Sequence, residues 1–213
     1  MQATLRQSVS FSGVGLHSGR VVRVVVHPQA ANMGIWFARS DLPDAKMIPA
    51  HYTAVPMSRL CTKLRGDDGA EISTVEHLMA ALAGCGIHNA MVEVDGPELP
   101  ILDGSAAPFV RAFLDAGIQS QSAPITAIEV LREITVTDGD SRATLSPAPG
   151  LEMDFTIDFE DAAIGRQRRV ANLANGRFVR DFCDSRTFCR KADVDAMRAA
   201  GLALGGTYDN AVV

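Results

Sequence analysis

Long apolar runs are missing from this chain of 213 residues. Nothing in it approaches the roughly 18 uninterrupted apolar residues of a membrane-spanning helix, and Met1 to Gly19 has no apolar core of the kind a secretory leader carries. The expectation is a chain without a transmembrane segment, working in the cytoplasm. Cysteine is sparse and scattered: Cys61, Cys85, Cys183 and Cys189 form no C-x-x-C pair, which argues against a disulfide frame or zinc ribbon and for reduced thiols. Aromatic residues make up only 6%, and the net charge is −5, so a nucleic-acid-binding surface is not expected.

What is present is ordinary for a globular protein: 47% apolar and 21% charged residues, enough to build a sizeable core as one large domain or two small ones. The charge is unevenly spread. Arg166, Arg168, Arg169, Arg177, Arg180, Arg186, Arg190 and Lys191 face only Asp181 and Asp184 in the same stretch, which carries +6 and leaves −11 for the remainder. Such a stretch reads equally as a solvated face or as a local anion site for a phosphorylated ligand.

Along the chain, Thr4–Phe11, Val21–Val26, Ile35–Phe37, Leu60–Leu64 and Ala90–Val94 read as strands, with Ile35–Phe37 as the partner of Val21–Val26. Asp103-Gly104-Ser105 leads into a helix over 107–116 that Gly117 closes. Residues 119–124 form a polar linker ending in Pro124, and the pattern restarts with strands over 128–137, 143–145 and 153–159, a helix over 193–200 and a strand from Tyr208 to Val213. Ser58-Arg59-Leu60-Cys61-Thr62 echoes Ser185-Arg186-Thr187-Phe188-Cys189, which suggests a duplicated unit. The reading is an α+β fold of two similar small domains, each a sheet packed on a helix layer. The first spans 1–122, and the second spans 126–213 and lacks its closing elements.

The stretch Ile72 to Gly84 reads as a short helix with Glu76 and His77 side by side near its start and Leu78, Ala81 and Leu82 on one face. Ser73 and Glu76 have the spacing of a capping box, with the carboxylate folded onto the cap amide. A carboxylate beside a histidine is also the arrangement by which a metal-bound water is activated for hydrolysis. The residues leave both readings open. His27, His51 and His88 read as structural or surface groups, and Asp103 as a turn or cap residue.

The ordered set of motifs resembles the UDP-3-O-acyl-N-acetylglucosamine deacetylase (LpxC) family of lipid A biosynthesis. The matching stretches are Gly13-Val14-Gly15-Leu16-His17-Ser18-Gly19, Leu60-Cys61-Thr62, Ser73-Thr74-Val75-Glu76-His77-Leu78, Leu102-Asp103-Gly104-Ser105-Ala106, Ser185-Arg186-Thr187-Phe188 and Gly201-Leu202-Ala203-Leu204-Gly205-Gly206. The resemblance implies a zinc (Zn2+) hydrolase that removes the N-acetyl group from a UDP-sugar bearing an acyl chain. By position, Glu76 would be the general base, His77 a zinc ligand, and Thr187 the donor to the oxyanion. Leu16, Leu60, Cys61 and Phe188 would lie near the substrate, and Val194, Ala203, Thr207, Tyr208 and Val213 along the acyl-chain passage.

The same resemblance implies further zinc ligands and a general acid that have no counterpart in these 213 residues, whose last histidine is His88. The expectation is a hydrolase sequence that alone is inactive and holds zinc weakly. The alternative is a short non-catalytic paralogue or fragment that binds substrate or acyl chain without hydrolysis.

Overall fold

The computed structural model describes residues 1–58 and 60–213; Arg59, one half of the Ser-Arg echo, lies outside the described residues. The chain divides into two compact units, Met1–Pro124 together with Val179–Val213, and Ile125–Phe178. The architecture is α+β.

The first unit begins with β1 (Ala3–Leu5), β2 (Val9–Val14), β3 (Val21–Pro28), β4 (Ile35–Arg39) and β5 (Ile48–Pro49). A 3-10 turn (Tyr52–Ala54) precedes β6 (Lys63–Arg65), β7 (Glu71–Ser73), α1 (Glu76–Gly84), β8 (Ala90–Val94), α2 (Ala107–Ala116) and β9 (Ile118–Ser120). Five strands form the main sheet in the order β2-β3-β8-β4-β5. Its centre is β8, antiparallel to β3 and parallel to β4. The expected pairing of Ile35–Phe37 with Val21–Val26 is therefore replaced: β8, distant in sequence, sits between them.

Alternation of apolar residues decides which face of the sheet is dry. Along β3, Val22, Val24 and Val26 are buried while Val21 and Arg23 are exposed. Phe37, Val92 and Val94 join them, as do Leu78, Ala81 and Leu82 of α1 and Phe109, Val110 and Phe113 of α2. Phe11 packs edge-on against Phe109, with ring centres 4.8 Å apart. α2 spans the predicted residues, and its end at Gly117, at φ +81, is the left-handed stop that glycine favours.

The second unit holds two antiparallel hairpins, β10 (Ile134–Asp138) with β11 (Ser141–Leu145) and β12 (Glu152–Asp158) with β13 (Arg166–Asn172). β13 was not anticipated, because a basic, weakly alternating stretch hides a strand. Its Arg168 lies diagonally across the pair from Asp154 on β12, with a contact of 2.5 Å. Ala171 is the only buried apolar side chain described in this unit.

α3 (Arg177–Asp181) spans the join, and α4 (Lys191–Ala199) follows. The sequence reading assigned all of 126–213 to a second domain; in the structure residues 179–213 group with the first unit. Hydrogen bonds explain why. The Thr187 amide donates to the Gly104 carbonyl at 2.8 Å and the Gly205 amide to the Leu16 carbonyl at 3.0 Å. The Arg186 guanidinium donates to the Asp103 carbonyl at 2.8 Å. The strand expected from Tyr208 reduces to a single bridge between Phe188 and Val212.

Candidate active site

Helix α1 begins later than its sequence implies. Ser73 ends β7, Thr74 adopts φ +60, and Val75 takes the cap position with no side-chain cap bond. A β-branched residue in the left-handed region is a true outlier, and here it turns the chain from strand into helix within one residue. Glu76 is thus the first helical residue and cannot fold back as the third. The capping box does not form. One Glu76 oxygen instead accepts the Thr62 amide at 3.0 Å, and the other has no hydrogen-bond partner among the described residues. The Val75 amide donates to the Thr62 carbonyl, which fixes the Leu60–Thr62 turn against the helix start.

His77 follows on the same helix end. Its burial pushes the imidazole below its ordinary value, opposed by the charges of Glu76 and Asp103, so it is held neutral, the form a metal ligand needs. Among the described residues no group of three or more His, Cys, Asp or Glu side chains could hold a metal ion. The described residues around His77 thus fall short of the three protein ligands of a catalytic zinc site.

The Gly13–Gly19 loop brings His17 to Cys61. Both ring nitrogens of His17 are buried, and neither has a partner at standard hydrogen-bond geometry among the described residues. The neighbouring Cys61 thiol is the main influence raising its pKa, with Glu98 and Glu76 adding to it. The imidazole in turn holds the Cys61 thiol below its ordinary range, helped by the Ser58 hydroxyl, whose oxygen lies 3.8 Å from the sulfur.

Against this loop lies a cavity of about 320 Å³, built wholly from the first unit. Nine residues singled out in the sequence line it: Leu16, Leu60, Thr187, Phe188, Val194, Ala203, Thr207, Tyr208 and Val213. Cys61, Glu76 and His77 are not on its wall. His17, Met197 and Arg198 also line it, although the sequence reading gave them no role, and so does Lys191 of the basic stretch. His17 carried a signal, since it is the titratable residue of a glycine-bracketed loop; Met197 and Arg198 carried none beyond helical spacing.

The other histidines are structural. His27 contacts Ser8 and Glu93, His51 caps the 3-10 turn, and His88 accepts the Ala3 amide. Arg166 and Arg168 meet acids of β12, while Arg190 and Lys191 meet Asp193 and Asp195 of α4.

Residues 2–213 match the family described as UDP-3-O-acyl N-acetylglycosamine deacetylase, LpxC. The chain belongs to the LpxC family. Among curated relatives, the UDP-3-O-acyl-N-acetylglucosamine deacetylase of Pasteurella multocida is 47% identical over 214 aligned residues, spanning 100% of this chain and 70% of the relative. The deacetylases of Histophilus somni (46%) and Shewanella violacea (47%) match with the same coverage. The family is one of enzymes, and within the first unit the bonds from Thr187 to Gly104, from Gly205 to Leu16 and from Arg186 to Asp103 bring its two groups of motifs to one cavity. Among the described residues no helix is long and apolar enough to cross a membrane.

Proposed function

We propose that this LpxC chain acts on UDP-3-O-acyl-N-acetylglucosamine, removing the N-acetyl group in lipid A biosynthesis. The observation that carries the reading is the single cavity lined by Leu16, Leu60, Thr187, Phe188, Val194, Ala203, Thr207, Tyr208 and Val213. Its Leu, Val, Met and Ala walls suit an acyl chain. The Thr187 hydroxyl is a neutral donor for an amide oxyanion. Lys191 and Arg198 add positive charge for a diphosphate.

In this reading the unpartnered oxygen of Glu76 takes the proton of the attacking water, and the Thr62 amide holds the other oxygen so that the carboxylate does not swing. Zinc, the cofactor proposed for the family's chemistry, would polarise the acetyl carbonyl and acidify water when bound. His77 is the residue here that would contact it. The described residues supply no group of three donors around His77. Cys61, off the cavity wall but beside His17 and next in sequence to Leu60, which both line the cavity, would lie near the substrate. Four unpaired thiols support a cytoplasmic setting.

The isolated donor at His77 favours a second reading, in which the chain holds the acylated UDP-sugar without hydrolysing it. One experiment separates the two: binding of UDP-3-O-acyl-N-acetylglucosamine and release of acetate, measured with zinc present, for the chain and for Glu76→Gln. Acetate release that falls at least about a hundredfold in the variant supports hydrolysis. Binding without release supports the second reading, and absence of both overturns each.

A further inference from the structure

Glu98 lies in the loop after β8 and is only 3% exposed, yet no cation is paired with it among the described residues. A buried carboxylate needs donors to replace water, and Glu98 has three. One oxygen accepts the His17 amide at 2.8 Å and the Thr74 hydroxyl at 3.0 Å; the other accepts the Ser18 amide at 2.8 Å. The fit is tight, since a Cβ on Gly15 would overlap the carboxylate. Glu98 is also bridged to Ser73, and the Ser73 amide donates to the Pro97 carbonyl at 2.9 Å.

The two donor sets belong to segments far apart in sequence. His17 and Ser18 lie in the loop that forms one cavity wall, whereas Thr74 is the left-handed residue from which Glu76 and His77 are launched. The backbone of 97–101 also ties each segment, through Pro97 and Leu99 to Ser73 and through Ile101 to Val14, and the Glu98 carboxylate adds the side-chain link that reaches His17, Ser18 and Thr74 at once. We propose that Glu98 is a positioning residue: one buried carboxylate fixes the Gly13–Gly19 wall of the cavity relative to the turn that aims Glu76 and His77. What is positioned rests on the function proposed above; the clamp itself rests on the three hydrogen bonds.

A glutamine at 98 has nearly the same shape but replaces one oxygen by an amide donor. In either orientation that donor faces a backbone N–H, of His17 or of Ser18, which cannot turn away. Thr74→Val removes only the turn-side bond, and Thr74→Ser keeps the hydroxyl.

The test combines site-resolved amide exchange with binding of UDP-3-O-acyl-N-acetylglucosamine for the wild-type chain, Glu98→Gln, Thr74→Val and Thr74→Ser. In Glu98→Gln the His17 and Ser18 amides should exchange at least about tenfold faster while Val24 and Val26 of β3 keep their protection, and affinity should fall about tenfold. Thr74→Val should also lose affinity, and Thr74→Ser should recover it to within about twofold. Unchanged His17 and Ser18 exchange overturns the proposal, as does equal loss of protection in β3, which marks a purely structural role. If Glu98→Gln does not fold, failure of Thr74→Ser to recover what Thr74→Val loses overturns it. A wild-type chain that does not bind this ligand refutes the proposed function, and the exchange data still decide the role of Glu98.

Discussion

Gly104→Ala should separate residues 179–213 from the rest of their unit. Gly104 has φ +82, and a Cβ there would sit inside the Asn210 carbonyl, backbone against backbone, so no side-chain rotation relieves it. The left-handed conformation costs alanine about 1–2 kcal/mol. Relieving the overlap moves the Thr207–Val213 stretch and stretches the bond from the Thr187 amide to Gly104, worth about 1 kcal/mol. The loss is capped, because the segment detaches before the core unfolds. The described hydrogen bonds that tie it, Thr187–Gly104, Gly205–Leu16, Leu204–His17 and Arg186–Asp103, come together to about 4 kcal/mol. A loss of about 2–4 kcal/mol follows.

Gly34→Ala is the control, since Gly34 has φ +74 but nothing within 4 Å of a Cβ. It should cost only the conformational part, about 1–2 kcal/mol. Urea unfolding gives both differences, and amide exchange at Thr187 and Val212 reports whether the segment has lifted. A Gly104→Ala chain no less stable than Gly34→Ala, with the Thr187 amide still protected, would refute the reasoning.

Three further outcomes follow from the same geometry. At about pH 7, iodoacetamide should modify Cys61 first, because His17 favours its thiolate, and Cys85 last, because burial pushes its thiol up to about 11; His17→Asn should slow Cys61 alone, and mass mapping of the adducts checks the order. Burial lowers the His77 pKa from 6.5, so between the lowered value and 6.5 the unfolded chain binds a proton that the folded metal-free chain refuses. Stability is then full above 6.5 and falls as pH drops through the lowered value; urea midpoints across that range should slope for the wild type and flatten at this step in His77→Gln. Limited proteolysis should cut first within Ile125–Phe178, where Ala171 is the only buried apolar side chain described, and leave Met1–Pro124 intact; equal resistance of both units would contradict this.

The sequence was most legible where local chemistry and tertiary packing agree. α2 follows from Asp103-Gly104-Ser105 at its start, an apolar stripe of Phe109, Val110 and Phe113, and Gly117 at its end, and nothing in the fold competes with those signals. β8 was equally plain, but its neighbours were not. Val21–Val26 and Ile35–Phe37 are adjacent strands in sequence, and only the insertion of β8 gives both Val92 and Val94 a buried face. Strand order is a long-range choice that alternation does not encode. β13 was hidden because its arginines are matched by aspartates on another strand, so the stabilising partner lies outside any local window.

The site divides along the same line. Motif positions indicated which residues line the cavity, but not what holds them there. Ser73 and Glu76 carry the spacing of a capping box, and a helix running from Ser73 would have consumed the Glu76 carboxylate at its own first turn. A single residue prevents it. With Thr74 at φ +60, the helix starts at Glu76, and one oxygen of its carboxylate has no hydrogen-bond partner among the described residues. The strained residue is itself held by a side chain 24 positions away, since the Thr74 hydroxyl donates to Glu98. Strain of this kind persists only where surrounding contacts over-determine it. The freedom of the Glu76 carboxylate, on which its proposed role as base rests, is thus a property of the Glu98 clamp as much as of the Glu-His motif. No reading of residues 72–84 alone could recover it, because the residue that holds Thr74 in place belongs to a different segment.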